Sequence, residues 1–207
     1  MMADPGKYDS EAILADAATR DPVARGLLLE RFRPRLTRMV ELRMDRRLAA
    51  RIDAADVVQE TFMNAAVQLD GYLKDRPIPL YPWLRRLAWE RMNDAYRRHI
   101  IAGRRSIDRE EPPATPDESV FALAERLTSP AEGPSTIMGR AERRKKVRAA
   151  LDQLPEHDRE ILMLRYLEDL TTAEAAAVTG ISESAVKLRV YRAMKRLGEL
   201  LGEGSGA

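Results

Sequence analysis

The sequence predicts an all-α fold made of two small helical domains that are joined by an acidic, proline-rich linker. Apolar residues recur at spacings of three and four through almost every segment outside the centre of the chain, which is the period of an amphipathic helix. The composition is rich in Leu, Ala, Arg and Glu and includes only three Phe, which favours helix over sheet. The centre, residues 110–139, holds five of the twelve Pro residues and has six acidic side chains against one basic side chain.

These changes in composition set the expected domain boundaries. We expect a first helical domain over residues 1–106, a flexible linker over 107–139 and a second helical domain over 140–204. Dense Pro and a net charge of −5 over residues 110–139 are typical of a chain segment that forms no core of its own. A short apolar pattern within this segment is expected to form a docking turn; its residues are Val120, Phe121, Leu123, Ala124 and Leu127.

The composition also excludes several classes of function. The 207 residues include no Cys, which rules out disulfide frameworks, thiolate zinc sites and Cys nucleophiles. The two His residues, His99 and His157, lie far apart, and no carboxylate spacing completes a metal site or a nucleophile–base set. We therefore expect no metal, no cofactor and no enzymatic activity. Without a run of about 18 apolar residues or a basic-then-apolar leader, we expect a cytoplasmic protein with no membrane insertion.

Two helices are predicted before residue 50. The first runs from about Ser10, its N-cap, to Thr19. The second opens at Asp21, an N-cap residue ahead of Pro22 at the first helical position. Because Pro34 lacks an N–H group and clashes with the preceding turn, we expect a kink or a local break there.

A third helix is predicted to begin at Asp53, and its two faces differ in chemistry. One face is an apolar stripe that predicts a core contact, whereas the other offers Asp56, Gln59, Glu60 and Asn64. An acidic, amide-rich face repels DNA and suits a basic protein surface. The alternative is that this face is simply solvated.

A fourth helix is predicted from about Trp83 towards Gly103, after a loop of sequence GYLKDRPIPLYP (residues 71–82). Its basic residues suit a nucleic-acid backbone, and the aromatic residues among them suit unstacked bases. For Trp83, however, packing in the core is the favoured interpretation. The basic residues are Arg85, Arg86, Arg91, Arg97, Arg98, Arg104, Arg105 and Arg109, and the aromatic residues are Tyr81, Trp83, Trp89 and Tyr96.

The second domain has the strongest local pattern, which is that of a helix-turn-helix. Thr171 or Thr172 can cap a short helix, Gly180 fits the positive φ of a tight turn, and Ser182 can cap a second helix. The inward residues of that second helix are predicted as Val186, Val190, Ala193 and Leu197. The outward residues are predicted as Glu183, Ser184, Lys187, Leu188, Arg189, Arg192, Lys195 and Arg196. A helical hairpin with a solvated basic face is the alternative, and His157 in the preceding helix is expected at the surface.

Three of these stretches resemble bacterial RNA polymerase sigma factors of the extracytoplasmic-function (ECF) group. Residues 53–66 (DAADVVQETFMNAA) and 83–99 (WLRRLAWERMNDAYRRH) resemble family region 2, and residues 151–197 resemble region 4. The resemblance implies a protein that binds core RNA polymerase, recognises the −10 and −35 elements of promoter DNA and helps to open it. Many family members are held by an anti-sigma factor, which makes such a factor a further implied partner.

The resemblance also implies roles for individual residues. Asp56, Gln59, Glu60 and Asn64 would contact the clamp helices of the polymerase. The proline-rich loop over residues 73–82 would capture a flipped base of the −10 element. The residues implied to contact the −10 element are Tyr81, Arg85, Arg86, Arg91, Arg97 and Arg98. Those implied to contact the −35 element are Ser182, Glu183, Ser184, Lys187, Leu188, Arg189 and Arg192.

Two positions depart from the family pattern. Glu90 stands where Asn is common, and its negative charge disfavours a phosphate contact. Leu188 stands where a small polar residue is common, and it can contact a thymine methyl group. Two alternatives to the sigma-factor interpretation stay open on the residues alone: a stand-alone helix-turn-helix transcriptional regulator and a helical adaptor that binds only proteins.

Overall fold

The computed structural model describes residues 21–101, 117–128 and 137–203, and within these ranges every regular element is a helix. The all-α prediction is therefore confirmed, while the helix predicted over residues 10–19 lies outside the described residues. The chain forms two compact units. Of the described residues, the first unit comprises 21–41 and 47–101, and the second comprises 42–46, 117–128 and 137–203.

Helix α1 spans Pro22–Arg43 and is capped by Asp21 as predicted. The Asp21 carboxylate accepts hydrogen bonds from the backbone N–H groups of Val23 (3.0 Å) and Ala24 (3.3 Å). A kink or a local break was predicted at Pro34, and the break is wrong, because the helix continues through this residue. Pro34 lies on the exposed side, and the opposite side is fixed by fully buried residues before and after it, such as Leu28 and Leu36. A short helix, α2, follows at Arg46–Ala49.

Helix α3 spans Ala54–Asp75, and its N-cap is Asp53, as the sequence predicts. The Asp53 carboxylate accepts a hydrogen bond from the Ala55 N–H group at 3.0 Å. The helix ends at Arg76, which adopts a left-handed conformation (φ 38°) and donates its N–H group to the Tyr72 carbonyl at 2.7 Å. The loop that follows is only residues 76–79, much shorter than the twelve-residue loop expected from the sequence.

Side chains on α1 and α3 show that the two helices run antiparallel. Arg25, near the start of α1, is paired with Asp70, near the end of α3. Eight residues later, Arg33 donates a hydrogen bond to the Gln59 side chain at 3.0 Å and stacks its guanidinium on Phe62 at 4.9 Å. The polar edge of α3 is therefore anchored by arginines of α1.

Helix α4 spans Leu80–Tyr96 and passes into a turn of π-helix at Arg97–Ile101. It begins three residues before the predicted start at Trp83. Pro82 is accommodated because it lies in the first turn, where a backbone N–H group has no intrahelical acceptor. Trp83 is buried and stacks on Tyr72 with ring centroids 4.4 Å apart, which confirms its predicted place in the core.

The second unit is built on five helices within the described residues. Helix α7 spans Glu156–Leu162 and continues as a π-helical turn at Met163–Leu167, and its apolar side chains lie at the centre of the core. The remaining helices are α5 (Asp117–Thr128), α6 (Ile137–Gln153), α8 (Thr172–Thr179) and α9 (Glu183–Glu203).

Helix α5 lies inside the segment that was predicted to be a flexible linker. Val120, Leu123 and Ala124 are buried, and Arg126 forms an ion pair with Asp169 at 2.6 Å. Residues 117–128 are thus a packed helix of the second unit, not a free tether. Three residues of the apolar pattern noted in the sequence form the buried face of this helix, whereas Leu127 is half-buried and Phe121 is exposed.

Residues 42–46 also belong to the second unit, and Arg43 is its most buried cation. The Arg43 guanidinium pairs with Glu168 at 2.6 Å and with Glu160 at 2.8 Å. Burial lowers the pKa of Arg43, but the two carboxylates more than offset this, so the pKa lies above its ordinary value. Since both Arg43 and Glu168 are removed from water, each needs the other to remain stable there.

Candidate functional site

The four residues predicted to bind a protein partner all lie exposed on one side of α3. We call this surface the acidic face; it consists of Asp56, Gln59, Glu60 and Asn64. Gln59 is held by Arg33, and the Asn64 amide oxygen accepts a hydrogen bond from Gln68 at 2.7 Å. The apolar side of the same helix, which includes Val58 and Ala65, is fully buried, so the acidic face has a fixed orientation.

Two large apolar residues accompany the acidic face and were not singled out from the sequence. Met63 and Val67 are 63% and 84% exposed. They are four residues apart on α3, so they form adjacent points on the same side of the helix as Asp56. The sequence signal was available, because Met63 follows Asp56 by seven residues, which is two helical turns. An apolar pair bordered by acidic and amide groups is typical of a protein-binding surface.

Glu60 connects the acidic face of α3 to the basic helix α4. Its carboxylate pairs with the Arg91 guanidinium. The hydrogen bond from Arg91 holds the pKa of Glu60 below its ordinary value despite some desolvation, and the charges of Arg91 and Arg98 add to this effect. Glu60 and Arg91 were predicted to contact different partners, and the structure brings them together.

A basic surface remains on α4 and its π-helical extension. Arg86, Arg97 and Arg98 are exposed. Arg86 is 3.9 Å from Glu90 and Arg97 is 4.0 Å from Asp94, which are long, solvent-exposed contacts of small energetic weight. These three guanidinium groups are thus accessible to a phosphate backbone.

Tyr81 and Arg85 were predicted to contact DNA, and both side chains are buried. The Tyr81 ring stacks on Phe32 with centroids 6.2 Å apart, and the Arg35 guanidinium covers it at 3.6 Å. Arg85 is buried and lies 5.9 Å from the Trp89 ring. Both side chains lie in the core of the first unit.

In the second unit, α8 and α9 form the predicted helix-turn-helix. Thr171 is the N-cap of α8: its hydroxyl accepts a hydrogen bond from the Glu174 N–H group (3.1 Å), and the Glu174 carboxylate accepts one from the Thr171 N–H group (2.8 Å). This reciprocal capping box defines where the helix begins. Gly180 ends it with φ 70° and donates its N–H group to the Ala176 carbonyl at 2.8 Å. The Ser182 hydroxyl then caps α9 by accepting from the Ala185 N–H group at 3.2 Å.

The two sides of α9 differ as the sequence predicts. Val186, Ala193 and Leu197 are buried, while Val190 is half-buried. Arg196 donates to the buried Asp158 carboxylate at 2.9 Å and so ties α9 to α7. Of the residues predicted to contact DNA, Arg189 is half-buried and the others are exposed; these are Ser182, Glu183, Ser184, Lys187, Leu188 and Arg192. The prediction omitted Tyr191, which is exposed on the same side.

Two other kinds of feature are not found among the described residues. These residues contain no group of three or more His, Cys, Asp or Glu side chains arranged to hold a metal ion. No helix among them is both long and apolar enough to cross a membrane. His157 is exposed beside Asp158, as expected for a surface residue.

A capped helix-turn-helix with a basic outer side defines the second unit as a DNA-binding module. Comparison with known protein families gives a match in each of the two units. Residues 28–100 match the model of sigma-70 region 2, and residues 144–197 match that of sigma-70 region 4. The chain belongs to the sigma-70 family of RNA polymerase sigma factors, in the ECF group.

Individual relatives support the same assignment. The chain is 32% identical over 187 residues to the ECF RNA polymerase sigma factor SigD of Mycobacterium tuberculosis, which covers 90% of this chain and 81% of SigD. It is 31% identical to the ECF sigma-E factor of Salmonella typhimurium, over 86% of each chain. The solved structure of CnrH in complex with the cytosolic domain of CnrY matches with a TM-score of 0.51 and 25% identity, over 94% of this chain and 97% of CnrH.

Membership of this family establishes the general function. The chain is a sigma factor that directs promoter-specific transcription initiation by RNA polymerase. The alternative of a stand-alone helix-turn-helix regulator does not account for the region 2 match, which covers most of the first unit.

Proposed function

We propose that the two units divide the work of promoter recognition among three surfaces. The acidic face of α3 binds core RNA polymerase. The exposed arginines of α4 contact the −10 element, and the outer side of α9 contacts the −35 element in the major groove. The observation that supports this division most directly is the charge separation: an exposed acidic face on α3 and exposed basic surfaces on α4 and α9.

Of the three proposed contacts, the one with core RNA polymerase depends on α3. An acidic surface with an apolar pair, Met63 and Val67, matches a basic protein surface that has apolar patches. Asp56 is well suited to a test because it is exposed and forms no ion pair with another described residue. Its charge can therefore be reversed without breaking a contact inside the described part of the first unit.

The test is competition for core polymerase between wild-type protein and Asp56→Arg. We expect Asp56→Arg to weaken core binding by at least tenfold, since it places like charges opposite each other at the interface. The matched control is Asp75→Arg, which makes the same charge change at the other end of the same helix, about 28 Å away. Equal binding by wild type and Asp56→Arg, or equal losses for the two variants, would contradict the proposed site.

The −10 contact is proposed for Arg86, Arg97 and Arg98. Exposed guanidinium groups along one helix can follow the phosphates of a separated strand, and such contacts make binding strongly dependent on salt. Arg91 contributes to this surface only when it leaves Glu60. Capture of a flipped base by loop residues 76–79 offsets part of the cost of opening the duplex.

We further propose a cytoplasmic protein with no reaction of its own. The sigma-70 family acts with RNA polymerase in the cytoplasm, and it is not known for enzymatic activity. An anti-sigma partner is proposed from CnrH, whose structure is of a complex with the cytosolic domain of CnrY. Such a regulator should abolish run-off transcription by this holoenzyme in proportion to its concentration and leave transcription by a different sigma factor unchanged.

A further inference from the structure

We propose that Leu188 and Tyr191 read the 5-methyl groups of thymine, so that the −35 preference of this chain depends on thymines at two neighbouring positions. This inference rests on the proposed contact between α9 and the −35 element and adds the chemical group that the contact recognises.

Leu188 and Tyr191 are large apolar groups in the first three turns of α9, where the other exposed residues are polar or charged. They are 47% and 66% exposed, and they are among the few large apolar side chains exposed in the described residues. Lys187 and Arg192, directly beside them, are also exposed. Three residues separate Leu188 from Tyr191, which places them on the same side of the helix and about 4.5 Å apart along its axis.

Neither residue is needed for the core of the second unit. The buried residues of α9 are Val186, Ala193 and Leu197, which lie on the other side of the helix. Leu188 and Tyr191 therefore expose apolar area to water in the free protein, and a ligand that covers this area gains the corresponding free energy.

The position of the pair in the helix indicates what covers it. In a helix-turn-helix, the N-terminal part of the second helix enters the major groove and contacts base edges. Leu188 and Tyr191 lie in the second and third turns of α9, which begins at Glu183. Among the groups on the four unmodified base pairs, the thymine methyl is the apolar group that the major groove presents. The distance between Leu188 and Tyr191 along the helix axis is close to the spacing of successive base pairs.

The charges around the pair favour DNA over an apolar protein surface. Lys187 and Arg192 border the pair, and Lys195 lies one turn further along the same helix, all of them exposed. A protein partner would have to compensate for these charges, whereas the phosphates that line the groove do so directly.

The experiment replaces thymine with uracil, which removes the 5-methyl group and retains base pairing. The holoenzyme, reconstituted from this chain and core polymerase, is offered a promoter that it transcribes, with thymine or uracil at every thymine position of the −35 element in both strands. The measured quantity is the ratio of the two affinities. A control promoter has the same number of uracils between the −35 and −10 elements.

For the wild-type chain we expect a loss of about threefold to fivefold for each methyl group contacted, so about 10-fold to 25-fold for two. The variant Leu188→Ser/Tyr191→Ser should bind both DNAs with nearly equal affinity, and the control promoter should show no loss with either protein. Met194→Ser, which changes another exposed apolar residue about 4.5 Å beyond Tyr191, should retain the full uracil penalty.

Three results would overturn the inference: equal affinity of the wild-type holoenzyme for both DNAs, a full penalty in the double variant, or loss of core polymerase binding in the double variant. The third result would assign the pair to a protein contact. These results differ from failure of the proposed function, which would appear as the absence of promoter-specific run-off transcription by the wild-type holoenzyme on unmodified DNA.

Discussion

Replacing Gly180 with Ala tests whether the turn between α8 and α9 has the geometry described here. Gly180 adopts φ 70° and ψ 19°, and a Cβ atom added to it would meet no heavy atom within 4 Å. Steric crowding therefore contributes nothing to the effect of the substitution. What remains is the cost of a left-handed backbone for a residue with a Cβ atom, about 1–2 kcal/mol.

Gly198 provides a control of opposite sign within the same unit. It lies inside α9, and a Cβ atom added there also meets no heavy atom within 4 Å. Because Gly is less favourable than Ala inside a helix, Gly198→Ala should stabilise the protein by about 0.5–1 kcal/mol. Two substitutions of the same residue type, both without crowding, thus have opposite predicted effects.

The assay is thermal unfolding of the full chain followed by far-ultraviolet circular dichroism. For a folding unit of about 100 residues, 1 kcal/mol corresponds to about 4–8 °C in the Tm. We expect a lower Tm for Gly180→Ala, a higher Tm for Gly198→Ala and an intermediate loss for Gly180→Asn, since Asn tolerates the left-handed region better than Ala. A neutral or stabilising Gly180→Ala would refute the assigned turn.

Two other predictions concern ion pairs. Arg43→Met should destabilise the second unit by about 3–5 kcal/mol, because it leaves the Glu168 carboxylate buried without its cation. The control is Arg46→Met, which changes an exposed residue. Equal small effects of the two substitutions in urea unfolding would contradict the pairing. Arg91→Ala should raise the pKa of Glu60 towards its ordinary value, measured by NMR titration of the carboxylate, and an unchanged pKa would disprove the contact. Because folding lowers this pKa, the pair stabilises the protein at pH values above the ordinary pKa of Glu. This contribution disappears as the pH falls through the lowered pKa. The effect is small because both side chains are partly exposed.

Local chemistry explains which elements were predictable from the sequence. The starts of α1, α3 and α9 follow from the side chains of Asp21, Asp53 and Ser182, each of which accepts hydrogen bonds from backbone N–H groups within the next three residues. The end of α8 follows from a glycine that alone tolerates positive φ without strain. Helix caps of this kind can be predicted from the sequence because the capping residue and the backbone groups it contacts lie within one helical turn.

The errors occurred where distant residues decide the outcome. Helix α5 is stabilised by burial of Leu123 and Ala124 against other helices, which the acidic, proline-rich composition of its surroundings does not reveal. The burial of Tyr81 was not predicted either, because it depends on Phe32 and Arg35, nearly fifty residues earlier, which enclose its ring.

The candidate site shows the same distinction. The four residues of the acidic face were predicted to be outward-facing from helical period alone, and all four are exposed. The pairing of Glu60 with Arg91 depends on the packing of α3 against α4, and so was not predicted. Tyr191 was omitted from the predicted outward residues of α9, although it follows Leu188 by three residues and so lies on the same side of the helix.

The most direct test of the central claim is the affinity for promoter DNA with and without core RNA polymerase. Fluorescence anisotropy of a labelled promoter, at one fixed salt concentration, measures both states of the same protein. We predict weak, largely nonspecific binding by the chain alone and tight, sequence-specific binding once core polymerase is added. Tight binding of a single DNA site by the isolated chain, unaffected by polymerase, would contradict the claim.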